Sequence, residues 1–409
     1  MTTGPRTSFT KTSAGGMTVK ARPEGEESWR PSHAQELLLR SAVLTGLPAL
    51  TAWRQWRAVV HIDRLDRDSQ RLLPLVHASL ERIDPGEPLM PRLKSVRRKA
   101  WYKNHLLFAM AEPVLAAFGE AGIGAVLLKG MAVILTAYGD FSLRPLEDID
   151  ILVPPGKIGE AMDILAGLDW RPRTPSKRPL DFYTLWAKSA VHYGNDGGGQ
   201  IDLHWNIRRI HGPAGGDESP WRNHRRVRRG GREYRILSPE DQLLHILDHA
   251  AADRFAPIRW IPDVLYQLRA SRAEMDWERF LERVSELDMT FRARAMLCYL
   301  RDHFGADLSE DLVREMAKSR ASKMERRFCR GMVRVGLVRF LWNFHYVRPV
   351  YQMSLDPDSR KSPLARAVLF WRLWSAVCGV RSLREALARV AVKPVRILKF
   401  LLADRKPDL

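Results

Sequence analysis

Two short segments restrict this chain more than any other part of it: "DIDILV" at 148–153 and "QIDLHW" at 200–205. In a strand, residues i and i+2 leave the backbone on the same side. Asp148 and Asp150 therefore project together, while Ile149, Ile151 and Val153 face a core. In the second segment Asp202 and His204 oppose Ile201, Leu203 and Trp205. If the two strands pair, three carboxylates meet on one sheet face, and such a set repels itself unless a cation neutralises it. Oxygen donors without thiolates or an imidazole cluster suit Mg²⁺ or Mn²⁺ rather than zinc. A D-x-D alone is more often a solvated edge than a metal site. The second Asp-bearing strand, and "LLKGM" at 127–131, turn the reading toward metal.

That upstream segment has its own logic. "GIGAVLLKG" (122–130) is a short apolar run bounded by glycines, which predicts a buried strand ending at Lys129-Gly130. "MAVILTAYG" follows as a short helix closed by Gly139. A strand–turn–helix junction presents free N–H groups suited to an anion. Lys129 reads either as a charge for a triphosphate or as a surface lysine at a strand end. His204 shares the face of Asp202, and either orients a carboxylate or phosphate or is a satisfied structural histidine.

Around this block the periodicity is helical. Residues 1–32 are rich in Thr, Ser, Gly and Pro and read as a disordered arm. The expected division is a helical N-terminal region (33–95), a small α/β core (96–236) and a helical C-terminal region (237–409). Within the core, "AVHYGNDGGGQIDLHWNI" reads as two strands joined by a glycine-rich turn. The last region opens with Ser238 as N-cap and Pro239 at the first helical position.

Charge narrows the partners. The 409 residues carry a formal net charge of +19, which favours polyanions such as nucleotides, nucleic acid or anionic lipid. "WRNHRRVRRGGREYR" (221–235) concentrates arginine; such runs are usually solvated loops, although one beside a phosphate site would guide an anionic substrate. Cys298, Cys329 and Cys378 are too scattered for a zinc site or disulfide framework, so a cytoplasmic setting is expected. The opening residues lack the apolar stretch of a secretory signal. No uncharged apolar run is long enough to predict a transmembrane segment; the nearest, 362–380, is broken by Arg366 and Arg372 and reads as a packed helix. His245 and His249 share a helix face but have no obvious third ligand. The i, i+3 tryptophan pairs at 53/56 and 371/374 read as core or interface.

"LLKGMAVILTAYGDFSLRPLEDIDILV", "IDLHWNI", "LSPEDQLLHILDHAA" and "IRWIPDVLYQL" together resemble the uncharacterised nucleotidyltransferase family of the polymerase-beta-like superfamily, over about residues 40–310. The resemblance implies an α+β fold: a small mixed sheet flanked by helices, with D-x-D on one strand and a third carboxylate on a neighbour. By position it makes Asp148 and Asp150 metal ligands and Asp202 the third carboxylate. Lys129-Gly130 becomes the nucleotide-phosphate turn, and Arg144, ahead of the D-x-D, matches the family's arginine. Better-known superfamily members carry Gly-Ser at this turn, so the donor's binding mode stays open. The implied activity is Mg²⁺-dependent (or Mn²⁺-dependent) transfer of a nucleoside monophosphate from a nucleoside triphosphate to an acceptor. Two alternatives stay open: transfer of another phosphate-linked group, or a non-catalytic basic module binding nucleotide or nucleic acid. The acceptor, anionic or otherwise, is not legible.

Overall fold

The computed structural model describes residues 29–173, 189–207, 217–252 and 258–318, with Val368 and Trp371. Most of the expected N-terminal arm, the rest of 362–380 and the chain beyond residue 318 lie outside the described residues. The fold is mixed α and β, and it divides into two compact units whose segments interleave along the chain. Among described residues, 29–109, 129–147, 239–252 and 258–318 form a helical unit, and 110–128, 148–173, 189–207 and 217–238 form a sheet unit.

The helical unit starts with His33–Val43, whose Ser32 and Gln35 close a reciprocal capping box. Gly46–Val59 buries Trp53 and Trp56 as a stacked pair, ring centroids 5.1 Å apart, so this pair is core as expected. Glu87 receives Trp53 Nε1 at 2.8 Å and Arg57 Nη1 at 2.5 Å, so its buried carboxylate is paired. Pro239–Ala252 begins where Pro239 predicts, with Glu240 and Asp241 in the first turn, where the helix dipole favours anions. His245 is buried on this helix.

The sheet unit carries seven strands among the described residues: β1 Val126–Leu127, β2 Ile149–Leu152, β3 Arg171–Pro172, β4 Ala190–Gly194, β5 Gln200–His204, β6 Arg225–Arg229 and β7 Arg232–Ile236. Their order is β3-β4-β5-β2-β1-β7-β6. The β2–β5 and β1–β7 pairs are parallel and the others antiparallel. Ile149, Ile151, Ile201, Leu203 and Tyr193 are all buried on one face. Strands β4 and β5 form the expected hairpin, closed by Asn195 Oδ1 accepting from Gly199 N–H at 2.7 Å.

The arginine-rich segment differs from a solvated loop. It is the β6–β7 hairpin, turned by Gly230 and Gly231 at φ +56° and +78°. A two-residue turn with both residues left-handed matches strand twist, and glycine adopts it without steric cost. No helix of the described residues is long and apolar enough to cross a membrane.

Candidate active site

In the parallel β2–β5 pair, Asp150 is the register partner of Asp202. Adjacent strands lie about 4.8 Å apart, so the two side chains leave one face side by side. Two residues beyond Asp202 on the same face is His204, whose Nε2 lies 2.9 Å from Asp150 Oδ1. One donor atom each from Asp150, Asp202 and His204 lies within 4.8 Å of the others. All three are more than nine-tenths buried, at 4, 7 and 6% exposure.

Burying two carboxylates together is costly unless hydrogen bonds or a cation answer them. Imidazole hydrogen bonds supply part of that. His192 on β4 is the cross-strand partner of Asp202, and its Nδ1 hydrogen-bonds Asp202 Oδ1. Each buried carboxylate thus has its own histidine. The sequence reading passed over His192, although "AVHYG" alternates and places it opposite Val191 and Tyr193. Asp148 lies half-buried just ahead of β2 and outside the donor group. Two carboxylates and an imidazole suit a hard or borderline divalent ion such as Mn²⁺ or Mg²⁺, and the set fits one metal.

The other sequence candidates belong to the helical unit. Lys129 opens the helical turn Lys129–Val133 and carries φ +45°, a left-handed conformation unusual outside glycine. A Cβ on Gly130 would collide with Arg144 Nη1 and Leu146 Cδ2, so a side chain there would have to displace both. Arg144 is clamped bidentately: Nε donates to Asp263 Oδ1 at 2.8 Å and Nη2 to Oδ2 at 2.7 Å. Tyr138 Oη donates to the same carboxylate at 2.9 Å.

The loop carrying Arg144 has no regular structure, yet its backbone is held by side chains. Buried Asn104 donates to the Phe141 and Arg144 carbonyls at 2.6 and 2.8 Å and accepts from Leu146 N–H at 2.8 Å. Arg259 Nη1 donates to the Pro145 carbonyl at 2.8 Å. Burial alone would raise the Glu147 carboxyl, but hydrogen bonds from Arg71 and Arg67 outweigh it and hold it at about 2. Asn104 and Asp263 carried no signal in the sequence beyond Asp263 lying within "IRWIPDVLYQL".

The strained lysine gives a test. Left-handed backbone at a non-glycine residue costs about 1 kcal/mol or more. Lys129→Ala and Lys129→Gly should weaken nucleoside triphosphate binding alike. The glycine variant should be the more stable of the two by about 1 kcal/mol in denaturant titration. Triphosphate affinity equal to wild type in both would remove Lys129 from the binding site.

The family described as an uncharacterised nucleotidyltransferase matches residues 61–305, more than half of the 409 residues. No curated protein matches the chain. Among solved structures, the solution structure of the antibiotic-resistance factor ANT(2'')-Ia is similar at 20% identity and TM-score 0.32, covering 49% of this chain and 98% of that one. The crystal structure of ANT(2'')-Ia in complex with adenylyl-2''-tobramycin is similar at 18% identity and TM-score 0.31, covering 46% and 98%. With the family matched across the segment that holds every candidate site residue, the chain is a transferase that belongs to the uncharacterised nucleotidyltransferase family.

Proposed function

We propose that the chain moves a nucleoside monophosphate from a nucleoside triphosphate to an acceptor hydroxyl, with a divalent ion, Mg²⁺ or Mn²⁺, held by Asp150, Asp202 and His204. The observation that carries this reading is the buried pairing of Asp150 with Asp202 on adjacent parallel strands. Asp148, on the same alternation, is the further carboxylate toward the metal. The ion supplies charge neutralisation of the triphosphate and polarisation of its α-phosphorus.

The chain's own residues do the rest. Asp202 Oδ1 is engaged by His192, which leaves Oδ2 to take the acceptor's proton. The acceptor oxygen bonds to the α-phosphorus as the bond to the β-phosphate oxygen breaks, and pyrophosphate leaves. His204 holds Asp150 in one orientation, so the carboxylate need not reorganise during transfer. Within the helical unit, Lys129, the Gly130 backbone and Arg144 are the candidates for phosphate contact.

An anionic acceptor is favoured by the β6–β7 hairpin. By register, Arg226 and Arg235 sit on the sheet face that carries Asp150, through the row Leu152, Val126, Arg235, Arg226. Glu233 pairs with Arg226 at 2.9 Å.

One experiment tests both parts: incubation with α-labelled and γ-labelled nucleoside triphosphates and cell extract. The α-label should become covalently attached in a metal-dependent way, and the γ-label should leave as pyrophosphate. Attachment of the γ-label would replace nucleotidyl transfer with phosphoryl transfer. In Arg226→Gln/Arg228→Gln the acceptor's KM should rise and lose salt sensitivity, because exposed charges act on encounter. An unchanged KM and salt dependence would mean a neutral acceptor.

A further inference from the structure

The helix Met90–Glu120 carries a one-sided charge. From Met90 to Ala111 it holds lysine or arginine at 92, 94, 97, 98, 99 and 103 and no acidic residue. Two of these cations are answered locally: Arg92 pairs with Asp63 at 2.6 Å, and Arg97 with Glu81 and Asp140 at 3.1 and 3.0 Å. Lys94, Arg98, Lys99 and Lys103 enter no ion pair among the described residues, and the first three are exposed.

The same stretch exposes aromatic rings. At 3.6 residues per turn, Lys94, Arg98, Trp101, Tyr102 and Leu106 share one side of the helix, opposite buried Leu93, Ala100, Asn104 and Leu107. Trp101 is 50% exposed and Tyr102 64%, although tryptophan is ordinarily well buried. Trp101 is nevertheless held in place. Its ring centroid lies 4.3 Å from that of His105, which lies 4.5 Å from that of buried Phe141. His105 Nδ1 donates to the Trp101 carbonyl at 2.9 Å, which fixes the supporting ring. A ring held this way loses little freedom when something stacks on it.

We propose that this face of the helical unit binds single-stranded nucleic acid, with bases stacking on Trp101 and Tyr102 and phosphates meeting Lys94, Arg98 and Lys99. Charge complementarity selects a polyanion, and the adjacent rings select one with free aromatic faces. Bases in a duplex already cover one another's faces, so the strand must be unpaired. An anionic membrane fits less well, because Leu106 is the one large aliphatic side chain exposed on this face and insertion depends on buried apolar area. The surface lies outside the candidate active site, and nothing in it depends on the transfer reaction.

The test is fluorescence-anisotropy binding of labelled oligothymidylate of about 12 nucleotides to the full chain, beside its duplex with oligoadenylate. Cosedimentation with phosphatidylserine vesicles is the second arm. Trp101→Ala and Tyr102→Ala should each weaken the single strand by at least about fivefold, the lower end of what one stacked base contributes. Trp101→Phe, which keeps a ring, should recover most of the loss. Arg98→Gln/Lys99→Gln, on exposed side chains, should flatten the dependence of log K on log salt by about 0.7 for each charge removed. Single-strand affinity unmoved by Trp101→Ala and Tyr102→Ala, or duplex bound as tightly as single strand, overturns the proposal, since charge alone would then account for binding. Vesicle binding that is lost in the same variants, with no oligonucleotide binding in wild type, assigns the face to a membrane and overturns it equally.

Discussion

Asp150→Asn and Asp202→Asn should each lower metal-dependent turnover by about a thousandfold or more, roughly 4 kcal/mol of transition-state stabilisation. Neither change should unfold the sheet unit. Both residues are buried on one face, and removing one charge relieves the repulsion between them, so the metal-free variants should match or exceed wild type in stability. Metal reverses that order. An ion that binds only the folded state at a hundred times its Kd adds about 2.7 kcal/mol, and this gain should appear in wild type alone. The imidazole of His204 makes a further distinction: Mn²⁺ should bind more tightly than Mg²⁺, and His204→Gln should narrow the gap. Thermal melts and Mn²⁺ titration by electron paramagnetic resonance give both readouts. Variants that respond to metal as wild type does would remove these residues from the site.

The alternation in "DIDILV" and "QIDLHW" was enough to place Asp150 and Asp202 on a common sheet face. Strand geometry repeats every second residue, and both segments have strong apolar partners to fix which face is buried. The same alternation could not say which neighbours complete the set. That His204 Nε2 meets Asp150 depends on the parallel register of β2 and β5, 52 residues apart at Asp150 and Asp202, and register is a long-range property. His192 reaches Asp202 because the β4–β5 turn is closed at Asn195–Gly199. The arginine run read as a loop because charge dominates its composition, but its hairpin is set by Gly230-Gly231 and by pairing with β1. Arg144 is a similar case. Its place ahead of the D-x-D was visible, whereas its bidentate partner Asp263 lies 119 residues away. The interleaving of the two units is equally hidden, since a sequence displays only consecutive segments.

Removing that partner should have the largest effect on stability. Asp263→Ala leaves Arg144 buried without its counter-ion and takes away the acceptor of Tyr138 Oη. Breaking one side of a buried ion pair costs about 3–5 kcal/mol, much of it the penalty on the charge left behind. Asp263→Asn keeps the shape and one acceptor oxygen and should cost less. Arg144→Met/Asp263→Ala is the decisive variant, because replacing both partners with apolar groups can be nearly neutral. It should recover at least about 1 kcal/mol relative to Asp263→Ala alone, giving a non-additive cycle. Denaturant unfolding must follow a signal of the helical unit, since two compact units need not unfold as one step. Buried Trp260, on the helix that carries Asp263, suits a fluorescence readout when compared with a variant lacking it. If the double variant regains stability but not triphosphate affinity, Arg144 is needed for ligand and not for folding. If it regains neither, the clamp holds the loop itself, and the Asn104 and Arg259 bonds to the Arg144 and Pro145 carbonyls are too weak to replace it.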